Sequence, residues 1–321
     1  MIDVLFIVLP DTLLLDLAGP AEALRLANQA LQRRGQPPAF SLRYAGPLAA
    51  TGSSVGLQLA GLEPLPQHFE RATWVLLLGR PGDGAQVVRP EPAWLATRQW
   101  LARQMAPVLA DPATPHRLMT VCTGALLAAD AGLLAGRRCT SHHELLDELA
   151  RLAPAAQVLP NKVWVEDGAL WTSAGITAGI DMALRAIALH SGEALAASVA
   201  QVMVAPLRRH RDDPQQSPLL ALRNHLHPAV HRAQEAVAER PQQHWSAQAL
   251  AAVAHVTPRH LSRLFRQHTG LSPREYVEQV RLALAGQARQ RGASAAQAAT
   301  LGGFGSDRQW RRARARSMQA P

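Results

Sequence analysis

Three side chains capable of acid–base or nucleophilic chemistry occur next to the ends of predicted strands. Cys122 follows a buried apolar run at 118–121 and precedes a predicted helix. A side chain at such a turn projects into the crevice at the carboxyl end of a parallel sheet, where a helix N-terminus favours an anion and lowers a thiol pKa. His142 follows a short predicted strand at 138–140, and Asp16 lies at the start of the first helix. We expect the three to converge on one pocket in the geometry of a nucleophile elbow.

Each of these residues also has a purely structural interpretation. A cysteine after a strand is often a small buried hydrophobe, and Asp16 has the residue type that caps a helix. The backbone amides of residues 79–82, which include Gly79, either receive a ligand carboxylate or form a plain turn. Cys139 is expected to be a strand residue and His143 a solvated one. The histidines lack metal-ligand spacing, so the sequence predicts no metal site and no cofactor.

The strands and helices that position these residues follow a regular alternation. Continuous apolar runs predict buried strands, and 3.6-residue periodicity predicts helices between them. The predicted strands are 2–9, 40–45, 74–78, 118–121 and 138–140, with a hairpin at 163–166 and 169–172. The predicted helices are 15–31, 94–105, 124–134 and 176–190. This order indicates an α/β fold, a parallel sheet with helices on both faces.

The residue composition of the chain changes after residue 205. A polar, proline-punctuated stretch predicts a linker at 206–227. No strand pattern follows it, so residues 228–321 are predicted to form an all-α domain. The chain thus divides into a first domain at 1–205, a linker and a second domain.

A helix-turn-helix pattern lies near the start of the second domain. A short helix at 246–254 is followed by a three-residue turn, and Thr257 is placed to cap a second helix at 258–268. Leu261, Leu264 and Phe265 share the predicted buried face of that helix. Its opposite face carries side chains suited to base and phosphate contacts; they are Arg259, Ser262, Arg263 and Arg266.

The pattern recurs near the end of the chain. A short helix at 294–301 is followed by a glycine-rich turn at 302–305, and Ser306 is placed to cap the last helix. A long helix at 273–288 connects the two units. The polar side chains predicted to point outward from the last helix are Asp307, Arg308, Arg311 and Arg312.

The charge distribution separates the two domains. The chain carries a net charge of +9. Residues 219–321 hold 15 basic and 5 acidic groups, whereas the remainder is nearly neutral. This asymmetry favours a polyanion partner for the second domain and a metabolite- or protein-facing role for the first.

The location of the protein is also suggested by its composition. No apolar run approaches the roughly 20 residues of a transmembrane helix, and the start of the chain lacks the pattern of a signal peptide. Two cysteines make no disulfide framework, which suits the cytoplasm. We therefore expect a cytoplasmic protein with no membrane partner.

The second domain resembles the AraC/XylS family of transcriptional regulators. The residues that carry the resemblance are 246–254 (SAQALAAVA), 256–265 (VTPRHLSRLF), 269–276 (TGLSPREY), 281–282 (RL) and 303–306 (GFGS). It implies two recognition helices in successive major grooves of double-stranded promoter DNA. The last unit departs from the pattern by placing Arg314 at a core position. We therefore expect poorer packing there and mainly phosphate contacts from that helix.

The first domain resembles the PfpI branch of the class I glutamine-amidotransferase-like superfamily, and the whole chain resembles GlxA-type regulators. The matching segments are 16–20 (DLAGP), 121–125 (VCTGA), 131–136 (AGLLAG), 140–142 (TSH) and 172–181 (TSAGITAGID). The resemblance implies a functional cysteine at Cys122 with an acidic side chain near it at Asp16. Together with the positions of the other candidates, it leads us to expect a flavodoxin-like fold with a ligand pocket formed by Asp16, Gly79, Cys122, Thr123 and His142.

The same resemblance bears on function. The proteases of the family carry His directly after the cysteine, where this chain has Thr123. A sensor of a small effector, an amino acid or a quaternary amine, is therefore expected rather than an enzyme, and a homodimer is expected as well. The alternatives are a Cys122-dependent enzyme of the isonitrile-hydratase or amidase type with a DNA-binding appendage, and a redox sensor acting through Cys122.

Overall fold

The computed structural model describes residues 1–204, 222, 225, 227–290 and 292–317. The chain divides into two compact units, Met1–Gln215 and Gln216–Pro321. Most of the predicted linker at 206–227 lies outside the described residues. The two units are described separately below.

The first unit is built on a seven-stranded sheet in the order β10-β11-β7-β6-β1-β2-β5. All neighbouring strands pair in parallel except β10, which runs antiparallel to β11. The central order confirms the predicted flavodoxin-like fold. The strands of this sheet are β1 (Ile2–Ile7), β2 (Phe40–Gly46), β5 (Glu63–Pro64), β6 (Thr73–Leu77), β7 (Arg117–Val121), β10 (Trp164–Asp167) and β11 (Leu170–Ser173).

Helices cover both faces of this sheet. They are α1 (Leu14–Arg33), α2 (Gly84–Val87), α3 (Pro92–Ala110), α4 (Gly124–Asp130), α5 (Leu146–Leu152), α6 (Ile176–Ser191) and α7 (Glu193–Val202). Alternate residues of β1 serve the two cores. Val4 and Phe6 pack in the cluster that includes α1, α6 and α7, whereas Leu5 and Ile7 pack in the cluster that includes α3, α4 and α5. Burial on both faces explains why β1 is apolar throughout rather than alternating.

Several short elements were not predicted from the sequence. One small sheet pairs β3 (Ala50–Gly52) with β4 (Gln58–Ala60), neither of which was predicted. A second pairs β8 (Arg138–Cys139), predicted as a strand at 138–140, with β9 (Gln157–Val158), which was not predicted. Helix α7 was also not predicted. In the opposite direction, α4 ends at Asp130 rather than at residue 134, because Gly132 takes a left-handed conformation (φ +76°) that closes the helix.

The second unit is helical throughout its described residues. Its helices are α8 (Pro228–Glu239), α9 (Ala247–Ala254), α10 (Pro258–Thr269), α11 (Pro273–Gln290), α12 (Ala295–Leu301) and α13 (Asp307–Ser317). One hydrophobic core is formed by the four helices α8, α9, α10 and α11 and is centred on Leu261, Phe265 and Tyr276. A second core is formed by α11, α12 and α13. The pairs α9–α10 and α12–α13 are the two predicted helix-turn-helix units.

The turn of the first helix-turn-helix unit, between α9 and α10, contains the cap that the sequence predicts at Thr257. Ser246 caps α9 by accepting a hydrogen bond from the Ala249 amide, and Thr257 caps α10 by accepting one from the His260 amide. Between them His255 takes a left-handed conformation (φ +55°) that reverses the chain direction. These local interactions determine where α9 ends and where α10 begins. No helix among the described residues is both long and apolar enough to cross a membrane.

Candidate functional site

Cys122 lies at the sharp turn between β7 and α4, as predicted. Its backbone has a left-handed φ of +55°, which is uncommon for a residue with a side chain. Two hydrogen bonds hold it there: the Cys122 amide donates to the Ser173 carbonyl at 3.1 Å, and the Ser141 hydroxyl donates to the Cys122 carbonyl at 2.9 Å. Gly124 is required at the start of α4, because a Cβ atom there would lie 2.4 Å from the Leu77 carbonyl oxygen of β6.

Asp16 approaches this turn from α1. Its Oδ2 atom accepts a hydrogen bond from the Gly79 amide at 3.1 Å. A Cβ atom at Gly79 would lie 2.6 Å from Asp16 Oδ2 and 3.0 Å from Cys122 Cβ. The backbone of Gly79 therefore lies between the two side chains, and there is no room for a side chain of its own. The carboxyl group caps no helix, which rules out the capping alternative. Its Oδ1 atom is buried without a hydrogen-bond partner among the residues that the structure describes.

Burial controls the charge of both groups. Asp16 is fully buried, and desolvation raises its pKa to about 7 despite the hydrogen bond from Gly79. Desolvation, together with the nearby Asp16 carboxyl, raises the pKa of the Cys122 thiol to about 12. The prediction that the N-terminus of α4 lowers this pKa was therefore wrong. Removing the water that would solvate a thiolate outweighs the favourable dipole.

His142 completes the convergence that the sequence predicted. A Cβ atom at Gly175 would lie 3.4 Å from His142 Cδ2 and 3.8 Å from Cys122 Sγ, so this glycine lies between the two side chains. His142 is half-buried, and desolvation followed by the neighbouring His143 lowers its pKa. Glu144 lies 3.7 Å from its Nδ1 atom. His143 is exposed, in agreement with its solvated interpretation.

The remaining pocket candidates are engaged with one another. The Thr123 hydroxyl accepts a hydrogen bond from the Arg80 amide at 2.7 Å and donates one to the Arg80 carbonyl at 2.9 Å. The amides of Gly79 and Arg80 are thus both used inside the protein, as in a plain turn. Arg80 is itself buried, with its guanidinium 3.2 Å from the Glu91 carboxylate. Arg80, Ser141 and Gly175 were not predicted as site residues, because no local pattern shows that Arg80 contacts Thr123 or that Ser141 and Gly175 lie beside Cys122.

The candidate DNA-binding face of the first helix-turn-helix unit lies on α10. Leu261, Leu264 and Phe265 are buried as predicted. On the opposite face Arg259, Arg263 and Arg266 are exposed, and the half-buried Ser262 donates to the Pro258 carbonyl. The arginines are therefore available to an external partner, while the DNA-binding role of each residue stays a prediction.

The second helix-turn-helix unit, α12–α13, packs better than the sequence predicted. Phe304, Trp310 and Ala313 are buried against α11 and α12. Arg314 is exposed beside them, with its guanidinium 6.0 Å from the Trp310 ring centroid. The expectation that Arg314 occupies a core position was therefore wrong, because the aromatic ring of Trp310 and the small Ala313 fill the space on that face.

The polar side chains of α13 lie on its surface. Ser306 caps this helix as predicted, accepting a hydrogen bond from the Gln309 amide. Asp307 pairs with Arg311 at 2.7 Å one helical turn later. Arg308 and Arg312 are exposed. The pairing partly occupies Asp307 and Arg311, so Arg308 and Arg312 are the better candidates for contacts with DNA.

Tertiary structure brings together histidines that are scattered in the sequence. The rings of His225 and His231 lie 5.0 Å apart, and His268 at the end of α10 lies 5.4 Å from His225 and 5.0 Å from His227. Desolvation, and then the neighbouring histidines, lower the pKa of His225 and His227. Across the described ranges no group of three or more His, Cys, Asp or Glu residues is arranged to hold a metal ion.

An α/β unit with a cysteine elbow, followed by a unit with two helix-turn-helix motifs, defines a DNA-binding regulator with an accessory domain. Residues 250–321 match the family described as a helix-turn-helix domain, and residues 112–189 match the DJ-1/PfpI family. The chain is 31% identical over 324 residues to the HTH-type transcriptional regulator CdhR of Pseudomonas aeruginosa. This match covers 99% of this chain and 90% of CdhR. The chain belongs to the family of HTH-type transcriptional regulators that join a DJ-1/PfpI domain to an AraC-type helix-turn-helix domain.

Two further comparisons bear on the fold and on catalysis. A solved structure of an AraC family transcriptional regulator from Pseudomonas putida superposes with a TM-score of 0.52 at 18% identity, covering 63% of this chain and 100% of that chain, which supports the fold alone. Isonitrile hydratase of Pseudomonas putida is 41% identical over only 80 residues, 24% of this chain and 32% of that enzyme. CdhR, which matches 99% of the chain, is a transcriptional regulator, and this protein is assigned to the same class, whereas the enzyme matches only 24% of the chain.

Proposed function

We propose that this regulator binds double-stranded promoter DNA under the control of a small metabolite held at Asp16 and Cys122. The first domain at 1–205 is the sensor, 206–227 the linker and 228–321 the DNA-binding domain. The protein acts in the cytoplasm as a homodimer, because pairing two DNA-binding domains on repeated half-sites raises affinity through effective concentration.

The single observation that carries the sensor role is the carboxyl group of Asp16. A buried acceptor without a partner costs on the order of 1–3 kcal/mol, and Asp16 Oδ1 is such an acceptor among the described residues. Desolvation also raises the pKa of Asp16 to about 7, so its charge is poorly compensated near neutral pH. A ligand that brings a cationic group to this carboxyl supplies the missing charge, and one with an N–H donor supplies the missing hydrogen bond as well. Amino acids offer both features, and quaternary amines offer only the charge.

The thiol of Cys122 supports sensing in preference to turnover. A nucleophilic cysteine acts as the thiolate. Desolvation and the Asp16 carboxyl raise the pKa of Cys122 to about 12, which keeps the thiol protonated at neutral pH. The same protonation disfavours the redox interpretation.

The sensor role is tested with matched ligand pairs on the full chain. Amino acids and their N-trimethyl derivatives, for example glycine and glycine betaine, differ in N–H donors but share the positive charge and the carboxylate. We expect members of one class to raise the melting temperature of the protein and to change its affinity for the DNA upstream of its gene. A preference for the free amino acid would assign a hydrogen bond to Asp16 Oδ1. The sensor role is refuted if no ligand of either class changes melting or DNA affinity.

The DNA-reading role is tested at Arg263. Replacing Arg263 by alanine is expected to weaken specific binding by roughly 1–3 kcal/mol and to relax discrimination at one base pair, the effect expected for a guanine contact. Fluorescence anisotropy on the selected site and on single-base variants measures both quantities. Arg103, exposed on α3 of the first unit, provides the control, since Arg103→Ala also removes one positive charge. An equal loss on every DNA sequence would instead assign Arg263 to a phosphate.

A further inference from the structure

Arg281, on the helix that connects the two helix-turn-helix units, contacts the segment that precedes the first of them. Its Nε atom donates to the Pro241 carbonyl at 2.9 Å, and its Nη2 atom donates to the Gln243 carbonyl at 2.8 Å. Both acceptors belong to the turn between α8 and α9. One side chain of α11 therefore binds the backbone that leads into the first unit.

The turn of the second helix-turn-helix unit meets the same place. A Cβ atom at Gly303 would lie 2.7 Å from the Pro241 carbonyl oxygen and 3.2 Å from Arg281 Nε. A Cβ atom at Gly302 would lie 2.7 Å from the Arg281 carbonyl oxygen and 2.8 Å from Ala285 Cβ. The turn 302–303 therefore packs against both α11 and the α8–α9 turn, with room for no side chain.

Burial and charge show that Arg281 is committed to this contact. Its side chain is half-buried, and desolvation lowers its pKa. It donates hydrogen bonds to two backbone carbonyls of the α8–α9 turn. A second link ties α13 to α11, where Arg316 pairs with Glu278 at 2.8 Å.

We propose that Arg281 is the positioning residue that sets the spacing and angle between the two recognition helices. By joining α11, the α8–α9 turn and the turn 302–303, it makes the two helix-turn-helix units one rigid body. This inference rests on the proposed function, in which α10 and α13 enter successive grooves of one DNA site. A rigid pair gains affinity on a correctly spaced double site because the second contact is made at high effective concentration, and it rejects other spacings.

The test compares two-groove and one-groove DNA. A preferred site is first selected from random duplexes with the full-length protein. Duplexes with one half scrambled, or with one or two base pairs inserted between the halves, then serve as competitors. Arg281→Met keeps the length of the side chain and removes its donors. We expect it to lose about tenfold in affinity for the intact site, to bind the half-scrambled duplex as before, and to tolerate the insertions. Arg274→Gln, a charge loss at an exposed position of the same helix, leaves these preferences unchanged.

A second pair of variants separates positioning from backbone strain. Gly303 and Gly270 have nearly equal left-handed φ angles, +74° and +73°, but a Cβ atom at Gly270 would meet no atom within 4 Å. Both substitutions place a side chain in the left-handed region, and only Gly303→Ala also disturbs the contact with Arg281. We expect Gly303→Ala to reproduce the pattern of Arg281→Met, and Gly270→Ala to leave the ratio of intact-site to half-site affinity unchanged.

The outcomes distinguish this role from the function on which it rests. If the wild type binds intact and half-scrambled duplexes equally, two-groove recognition is refuted and the positioning role with it. If the wild type discriminates and Arg281→Met discriminates equally well, the positioning role alone is refuted. An equal loss on both duplexes refutes it too, because that pattern reports a smaller folded fraction.

Discussion

Replacing Asp16 by asparagine is expected to remove a pH-dependent instability of the first unit. The pKa of Asp16 rises on folding from 3.8 to about 7, so the folded state binds more protons than the unfolded state between these values. The free energy of unfolding therefore falls as the pH rises through this window. A shift of this size corresponds to ~4 kcal/mol of unfolding free energy. The wild type has this stabilisation at a pH below both pKa values and has lost it at a pH above both. Asp16→Asn cannot ionise, so its advantage over the wild type should grow by about this amount between about pH 4 and pH 8.

Urea unfolding of the full-length protein and the variant across that range measures the difference. Asp147→Asn, which removes an exposed carboxylate from α5, is the control for the loss of one carboxylate elsewhere in the same unit. A constant difference between Asp16→Asn and the wild type at all pH values would contradict the prediction, because the carboxyl would then titrate alike in both states. The variant should also lose part of its response to a cationic effector. A stabilising substitution that weakens function is typical of a residue kept for binding.

Replacing Phe265 by alanine is expected to unfold the first helix-turn-helix unit while the sensor domain stays folded. Phe265 is fully buried and its ring centroid lies 5.5 Å from that of Tyr276 on α11. Truncating a buried phenylalanine costs about 3–5 kcal/mol, a large fraction of the stability of a domain this size. Specific DNA binding should be lost, whereas stabilisation of the sensor domain by its ligand should remain.

Phe265→Leu is the graded control. It keeps most of the apolar volume, should cost about 1.5 kcal/mol or less, and should retain DNA binding. Hydrogen exchange of the full chain, followed separately in α1, α6, α8 and α10, shows which unit opens. If Phe265→Ala loosens α1 and α6 as much as α8 and α10, the two units do not fold independently and the prediction fails.

Local patterns predicted most elements of both units to within a few residues. The continuous apolar run of β1 and the spacing of Leu261, Leu264 and Phe265 report which faces are buried, because burial imposes the period of the backbone on the sequence. The caps Thr257 and Ser306 were likewise readable, since their hydrogen bonds join residues three apart. Short strands such as β3 and β4 were missed, because they have too few residues to show a period.

The candidate sensor site was predictable in outline and not in chemistry. The order of strands and helices places Cys122, Asp16 and His142 at one end of the sheet, so their convergence followed from the sequence. The Cys122 thiol pKa did not, because it depends on how completely the site is desolvated and on the approach of Asp16, and neither is local. The same limit explains the error at Arg314, where Trp310 and Ala313 take the core space.

The sequence by itself determined the two-domain plan, the basic second domain and the residues of the elbow turn around Cys122, because each follows from short-range spacing, residue type and charge. Tertiary structure decided the protonation of Cys122 and Asp16, the gathering of His225, His227 and His268, and the contact of Arg281 with the turn 302–303. These depend on which atoms from distant parts of the chain exclude water or accept a hydrogen bond at one point in space. A one-dimensional pattern does not contain that information.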